Sequence, residues 1–578
     1  MDTYYSSEKN TQILIALLKA HGIKKIVASP GATNVCLVAG LQSDPYFEMY
    51  SSVDERSAAY IACGMAAESG QPVVLSCTGA TASRNYIPGL TEAYYRKLPV
   101  LAVTSTQHLG RIGHHIPQVI DRRNLLNDIY VFNAEIPTIH DVEDEWAYGA
   151  MINKAIIALT DHGGGPVHID LTTTYSKDFS VKKLPKIQVI NKFGVEDKFP
   201  ELKADRVGIF AGAHGAWSER LTQAVDEFCE KYNAVVFCDH TSNYSGKYRS
   251  VFNLVANQNH YVSQNKSMDL LIHIGEVSGA YMDLRPLQVW RVNRDGESRD
   301  TFRKLRYTFQ MSEEFFFENY NKKKNVINTE YYNACTEEYD RLLKKIPELP
   351  FSNAWIAKTL CTKLPENSAL HLGILNSLRS WNFFEISKSI SGYANTGGFG
   401  IDGSASTLIG ASLASPGKLF FCVLGDLAFF YDLNSIGNRY VGNNLRILVI
   451  NNGIGTEFKN YSHPAARFAE DADLYMAAGG HYGNKSATLL RDYTKALGFE
   501  YLSASNKEEF ADVVEKFVAP DIGDKPVFLE VFTDSQDESD ALKTLNNLEI
   551  SGVNKAKHMA KEILGEKGVA TLKKIIGG

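Results

Sequence analysis

Leu419-Phe420-Phe421-Cys422-Val423-Leu424-Gly425-Asp426-Leu427-Ala428 is an unbroken apolar run that ends on a glycine, a carboxylate and the start of a helical pattern. A run without polar alternation reads as a strand buried on both faces, as in a parallel sheet covered by helices. A second run, Ile447-Leu448-Val449-Ile450, ends in a similar way on Asn451-Asn452-Gly453. Parallel sheets bind ligands beyond the C-terminal ends of their strands. Asp426, and Asn452 26 residues later, therefore fall where a ligand would be held. They offer a carboxylate and an amide oxygen, hard donors suited to Mg²⁺ or Ca²⁺, and a backbone carbonyl at Ile454 can add a third. Gly425 allows a tight turn, and the N–H groups of Leu427 and Ala428 open a helix where a diphosphate can be cradled. Taken singly, a Gly-Asp turn and an Asn-Gly turn are ordinary in any α/β protein. Together, each at a strand end, they point to a site.

The same alternation of short apolar runs and helical patterns extends along all 578 residues. It predicts an α/β protein of three doubly wound parallel-sheet domains. The first domain, 1–183, holds candidate strands at 25–28, 73–77, 100–104 and 166–171. The polar stretch 180–203 reads as a linker. The second, 204–345, holds 207–212, 235–238, 270–274 and 289–292 before a charged helical stretch. Pro347 and Pro350 mark the next break, and the third domain spans 351–537. A C-terminal extension, 538–578, follows. Within it Met559 to Ile576 carries apolar residues near helical spacing with lysines between them. This reads as a surface or subunit-docking helix, or as a basic helix lying on a membrane. Gly208-Ile209-Phe210-Ala211-Gly212-Ala213-His214-Gly215 could pass for a nucleotide loop, but a lone Gly-rich turn is weak evidence. The second domain is expected to carry no flavin.

Hydrophobic residues make up 44% and charged residues 22%, as in ordinary globular proteins. A net charge of -6 argues against nucleic acid as a partner. The eight cysteines stand singly, without CxxC or Cys/His spacing, so no zinc site is expected. Most lie in apolar runs and read as buried, reduced thiols of a cytoplasmic protein. Met1-Asp2-Thr3-Tyr4-Tyr5 does not begin a secretory signal, and no apolar stretch is long enough to predict a membrane span.

Gly425-Asp426-Leu427 with Asn451-Asn452 resembles the G-D-x…N-N signature of thiamine diphosphate-dependent enzymes. The Leu427 form, followed by Phe429-Phe430-Tyr431-Asp432-Leu433-Asn434, is similar to the menaquinone-pathway succinyl-transferring ligase MenD. Tyr393-Ala394-Asn395-Thr396-Gly397-Gly398-Phe399-Gly400-Ile401-Asp402-Gly403 resembles that ligase's N-R-G-x-S-G-I-D-G segment. The resemblance implies thiamine diphosphate and Mg²⁺ as cofactors, the metal on Asp426, Asn452 and Ile454. It implies further cofactor contacts at Gly400, Ile401, Thr456 and, through Asn376-Ser377-Leu378, Ser377. Ile401 would hold the cofactor in its bent form. Ser29-Pro30-Gly31 and Thr78-Gly79-Ala80-Thr81 resemble two more cofactor segments and implicate Gly31 and Thr78. Glu55, opening Glu55-Arg56-Ser57-Ala58-Ala59-Tyr60-Ile61-Ala62-Cys63-Gly64-Met65-Ala66, resembles the glutamate that bonds N1′ of the aminopyrimidine and promotes loss of the C2 proton. By itself Glu55 would also suit an ordinary helix-start acid. The resemblance covers almost the whole chain. It orders the domains as pyrimidine-binding, middle and diphosphate-binding, and it implies a homodimer or homotetramer.

The implied chemistry is decarboxylation of a 2-oxo acid with transfer of the acyl unit to an acceptor. Cleavage of an existing C–C bond, oxidative decarboxylation and a non-catalytic family member are the alternatives. Arg111, His114, His115 and Gln118 lie in a loop where related enzymes face substrate, although the histidines would also suit a plain surface loop. Where the ligase resembled has carboxylate-holding arginines, this chain has Ala32-Thr33 and Thr396, and Arg379 lies two positions early. Without bidentate arginines a polycarboxylate site is weakened. The departures predict a monocarboxylic donor such as pyruvate and an aldehyde or sugar-like acceptor, with Arg111, His114, His115 or Arg379 as the anchor.

Overall fold

The computed structural model describes residues 3–122, 126–280, 282–322, 327–481 and 485–550. It contains three sheets of six, seven and six strands, and the paired strands run parallel, as the apolar runs predict. The chain divides into two compact units.

The first unit comprises Met1–Phe199 with Val289–Gln310. Its six-stranded sheet is built from β1 (Lys25–Ala28), β2 (Glu48–Ser51), β3 (Val73–Thr78), β4 (Val100–Thr106), β5 (Phe132–Ile136) and β6 (Val167–Thr172), in the order β2-β1-β3-β4-β6-β5. Helices cover both faces. Leu17, Leu101 and Ile169 belong to one buried cluster and Ala62, Leu75 and Ala102 to the other. The helix Glu55–Ser69 turns Ala58, Ala59, Ala62, Cys63 and Ala66 inward. These small side chains admit the helix Ile87–Tyr95 so closely that a Cβ on Gly89 would overlap Ala59.

The stretch read as a linker carries a strand. β7 (Asn191–Phe193) pairs with β13 (Leu305–Gln310), which pairs with the Val289–Asn293 part of β12 (Arg285–Asn293). Aromatic packing holds it: Phe193 stacks on Phe309 at 5.3 Å, and Phe199 and Trp290 close on the same ring. Three residues are too few to show a period, and the partner strand lies far along the chain.

The second unit comprises Pro200–Gln288 with Met311–Gly578. It holds β8 (Val207–Ala211), β9 (Ala234–Cys238), β10 (Arg249–Ser250) and β11 (Ser267–Ile274). The Gly-rich turn after β8 is packed against protein. A Cβ on Gly212 would overlap the Glu276 carbonyl, and Glu276 N–H donates to Ala213 O at 2.8 Å. His214, beyond that turn, pairs with Glu313 at 2.9 Å. The last sheet comprises β14 (Ala369–Leu372), β15 (Ser391–Tyr393), β16 (Phe420–Gly425), β17 (Leu445–Asn451), β18 (Glu500–Ala504) and β19 (Val527–Phe532), in the order β15-β14-β16-β17-β19-β18. The helix Ser535–Leu545 straddles residue 538, where the C-terminal extension was expected to begin. Met559 to Ile576 lies outside the described residues. Among the described residues no helix is long and apolar enough to cross a membrane.

Candidate active site

β16 and β17 lie side by side at the centre of the sheet, Gly425 opposite Ile450, so the two sequence halves meet at neighbouring C-terminal strand ends. Asp426 is buried at the first turn of the helix Asp426–Tyr431. Its Oδ1 accepts from Leu427 N–H (2.8 Å) and its Oδ2 from Gly453 N–H (2.7 Å). Neither bond brings a full positive charge, and burial pushes the carboxyl up to about 6. Leu427 N–H is thus turned onto Asp426 and is not spare for a phosphate. Asn452 Oδ1 accepts from Ile454 N–H at 3.3 Å, and the buried Thr456 hydroxyl donates to Ile454 O at 3.5 Å. Gly425 itself has φ -73°, which any residue adopts. Its lack of a side chain leaves room: nothing lies within 4 Å of where a Cβ would stand. The tight turn expected there is replaced by an open cradle.

Other candidate residues belong to the same unit. Ser377 is buried in the helix Asn376–Trp381, and its Oγ accepts from Asn353 Nδ2 at 3.1 Å. That helix is bound to the loop after Asn452, because Asn460 donates to Asn376 Oδ1 (3.0 Å). Arg379 grips Glu457 with both Nη atoms, at 2.7 and 3.0 Å. Its fork is occupied, which corrects the expectation that it could anchor a substrate carboxylate. Ile401, half-buried beside Gly400, packs on the cluster that includes Leu424 and Ala428. The next helix is tied in by Ser406 N–H, which donates to Asp432 at 2.6 Å. Thr396 is buried, its methyl 3.2 Å from where a Cβ on Gly279 would stand, and it offers no cation.

In the first unit Glu55 opens its helix behind the cap residue Asp54, which accepts from Arg56 N–H. The Glu55 charge adds to burial in raising the Tyr86 hydroxyl and the thiol of Cys77, near the end of β3. Gly31 and Thr78 meet there: a Cβ on Gly31 would stand 2.7 Å from Thr78 Cβ. Thr33 bonds both the Thr78 hydroxyl and Ser105 O (2.8 Å). His114, His115 and Gln118 stand exposed in the loop after β4, where Arg111 bonds Gln107. That loop ends on a group the motif reading missed. Arg122 is buried against Asp170 at 2.5 Å, and its Nη1 lies 2.6 Å from where a Cβ on Gly79 would be.

The second-unit donor set fits a divalent cation bridging to a diphosphate. It offers one buried carboxylate without a bonded cation, one amide oxygen and one carbonyl, with an open glycine beside the carboxylate. Residues 9–125 match the thiamine pyrophosphate enzyme N-terminal TPP-binding domain, and 376–531 match the C-terminal TPP-binding domain. A 2-succinyl-5-enolpyruvyl-6-hydroxy-3-cyclohexene-1-carboxylate synthase of Bacteroides fragilis is 30% identical over 570 residues, covering 93% of this chain and 98% of that protein. Synthases of the same name from Phocaeicola vulgatus and Porphyromonas gingivalis are 29% and 27% identical, covering 93% and 94% of this chain and 98% of each of those proteins.

Proposed function

The chain belongs to the thiamine pyrophosphate enzymes, and from that premise we propose that it decarboxylates a 2-oxo acid and joins the remaining acyl unit to an acceptor. Bound thiamine diphosphate supplies the electron sink that lets a bond next to a carbonyl break. Asp426, Asn452 Oδ1 and Ile454 O hold Mg²⁺. Ser377, Thr456, Gly400, Gly425 and the backbone N–H of Ala428 seat the diphosphate, and Ile401 supports the cofactor's bend. Gly31 and Thr78 face the pyrimidine ring, and Glu55 holds the proton at N1′. His114, His115 and Gln118 move protons or orient substrate from their loop, with Arg111 as the cationic anchor. The three sheets take the pyrimidine-binding, middle and diphosphate-binding roles. The observation that carries this reading is the buried Asp426 carboxylate beside the open space at Gly425.

The working protein is a homodimer or homotetramer. Val53, Tyr60 and Ile61 beside Glu55 are exposed in the single chain, which supports their burial against another copy. Eight free, buried cysteines support a cytoplasmic setting. A second reading, that this chain makes the product its relatives are named for, is favoured by its coverage of 98% of their length. The buried Thr396 and the occupied Arg379 weigh against it. The test is product analysis by mass spectrometry with cofactor, Mg²⁺ and a panel of pyruvate, 2-oxoglutarate, aldehydes and isochorismate. Turnover of 2-oxoglutarate with isochorismate selects the second reading, and no decarboxylation of any donor rejects the first.

A further inference from the structure

Glu538, on the helix Ser535–Leu545, is buried and carries no role above. Its two carboxylate oxygens accept from Asn353 N–H at 3.0 and 3.1 Å, and Oε1 also accepts from the Thr533 hydroxyl at 2.8 Å. Each partner leads to a different arm of the cofactor site. Asn353 Nδ2 donates to Ser377 Oγ at 3.1 Å. Thr533 N–H donates to the carbonyl of Asn451, the residue before Asn452, at 3.2 Å. The chain Ser377–Asn353–Glu538–Thr533–Asn451 is continuous, and all five side chains are buried.

A carboxylate taken out of water without a cation is costly, and polar donors on both oxygens offset only part of that cost. Burial pushes Glu538 up to about 7, while Thr533 and Asn353 pull it back and the charges of Asp537 and then Asp426 add to the rise. Glu538 is therefore within electrostatic reach of the metal carboxylate as well as bonded to both arms. A plain cap for the helix Asn353–Leu360 would need no charge here, since Ser352 already accepts from Trp355 N–H.

We propose that Glu538 is a positioning residue of the cofactor site, fixing the Ser377 hydroxyl through Asn353 and the Asn451–Asn452 strand end through Thr533. This rests on the assignment of Ser377 and Asn452 as cofactor and metal contacts. The test is calorimetry of the full chain with thiamine diphosphate at saturating Mg²⁺, alongside thermal melting. Glu538→Gln and Asn353→Ala should each raise the cofactor Kd roughly five- to tenfold, the size of one lost hydrogen bond. Ser377→Ala should do the same, and Asn353→Ala should add nothing once Ser377 is alanine. Thr533→Val should raise the Mg²⁺ concentration needed for binding. If Glu538→Gln does not fold, Asn353→Ala and Thr533→Val carry the test. A lowered Tm with wild-type Kd in these variants overturns the proposal and leaves a structural carboxylate. An additive Asn353/Ser377 double variant overturns the link through Ser377. Wild-type affinity in Ser377→Ala removes that contact and the proposal with it, whereas failure of the wild-type chain to bind cofactor overturns the function on which both stand.

Discussion

The first and last sheets share one strand order, second-first-third-fourth-sixth-fifth along the chain, yet their strand ends are finished in opposite ways. In the first sheet protein fills the space. Gly31 is crowded by Thr78 and Gly79 by the Arg122 guanidinium, and the buried carboxylate there, Asp170, has Arg122 as its partner. In the last sheet Gly425, Gly397 and Gly398 have nothing within 4 Å of a Cβ position. Two of its buried carboxylates, Asp426 and Glu538, are met by backbone N–H groups and a hydroxyl. One topology thus supports a self-neutralised end and an end left with charge and room.

The sharpest way to break this comparison is Asp426→Ala. It should cost at least about a thousandfold in Mg²⁺-dependent cofactor binding by calorimetry, the order of a lost buried charge partner. Unchanged binding would move the site away from the last sheet. Next comes the substrate. With Ala32-Thr33 and Thr396 standing where carboxylate-holding arginines are expected, two charge-assisted contacts would be missing. Steady-state kcat/KM for 2-oxoglutarate with isochorismate should fall about two to four decades below that for pyruvate with an aldehyde. Equal efficiency would show that other cations do the work. In the first sheet, Glu55→Gln should keep cofactor affinity and lose roughly a hundredfold or more of C2 proton exchange, followed by NMR. Loss of affinity instead would give both sheets the same task.

The glycines divide the sheets by stability. Gly31→Ala should destabilise by about 1–3 kcal/mol through overlap with Thr78. Gly425→Ala should change stability by less than about 0.5 kcal/mol while weakening cofactor binding. Equal destabilisation in urea titrations would erase the distinction. In one respect the sheets should behave alike. Burial lowers His168 in β6 to about 3 and His371 in β14 to about 4. Above the unfolded-state value near 6.5 both states are neutral and the histidines contribute no pH dependence. Below it the unfolded chain binds the extra protons, so stability falls with acidity, by up to about 1.4 kcal/mol per pH unit for each histidine. His168→Gln and His371→Gln should each flatten that slope between pH 6.5 and 5, and an unaltered slope would assign the loss to other groups.

The fully buried strands β3, β4, β16, β17 and β19 were legible because parallel strands covered on both faces are written as plain apolar runs. The edge strands β5 and β18 were not, since each is only partly buried and mixes polar with apolar residues. That Asp426 and Asn452 stand at adjoining strand ends was legible because both ends and a short spacing lie within one stretch of chain. Arg122, Glu457 and Glu538 were not, because their meaning lies in partners 48, 78 and 185 residues away. Arg379 shows the cost of this: it reads as a free cation until the fold brings Glu457 to it. Gly425 was read for the wrong property, as a bend where the chain needs a vacancy.

Cys77, Cys238 and Cys422 place one thiol in the heart of each sheet, on β3, β9 and β16, and all eight cysteines are buried. Burial raises all three above the ordinary thiol value, and thiol reagents attack exposed thiolates. The folded protein is therefore silent to such reagents, and each alkylation event records an opening of the sheet that holds the cysteine. The three thiols act as built-in clocks. The order in which their peptides gain label ranks the sheets by local opening, and bound cofactor should slow the clock at Cys422 more than the one at Cys238.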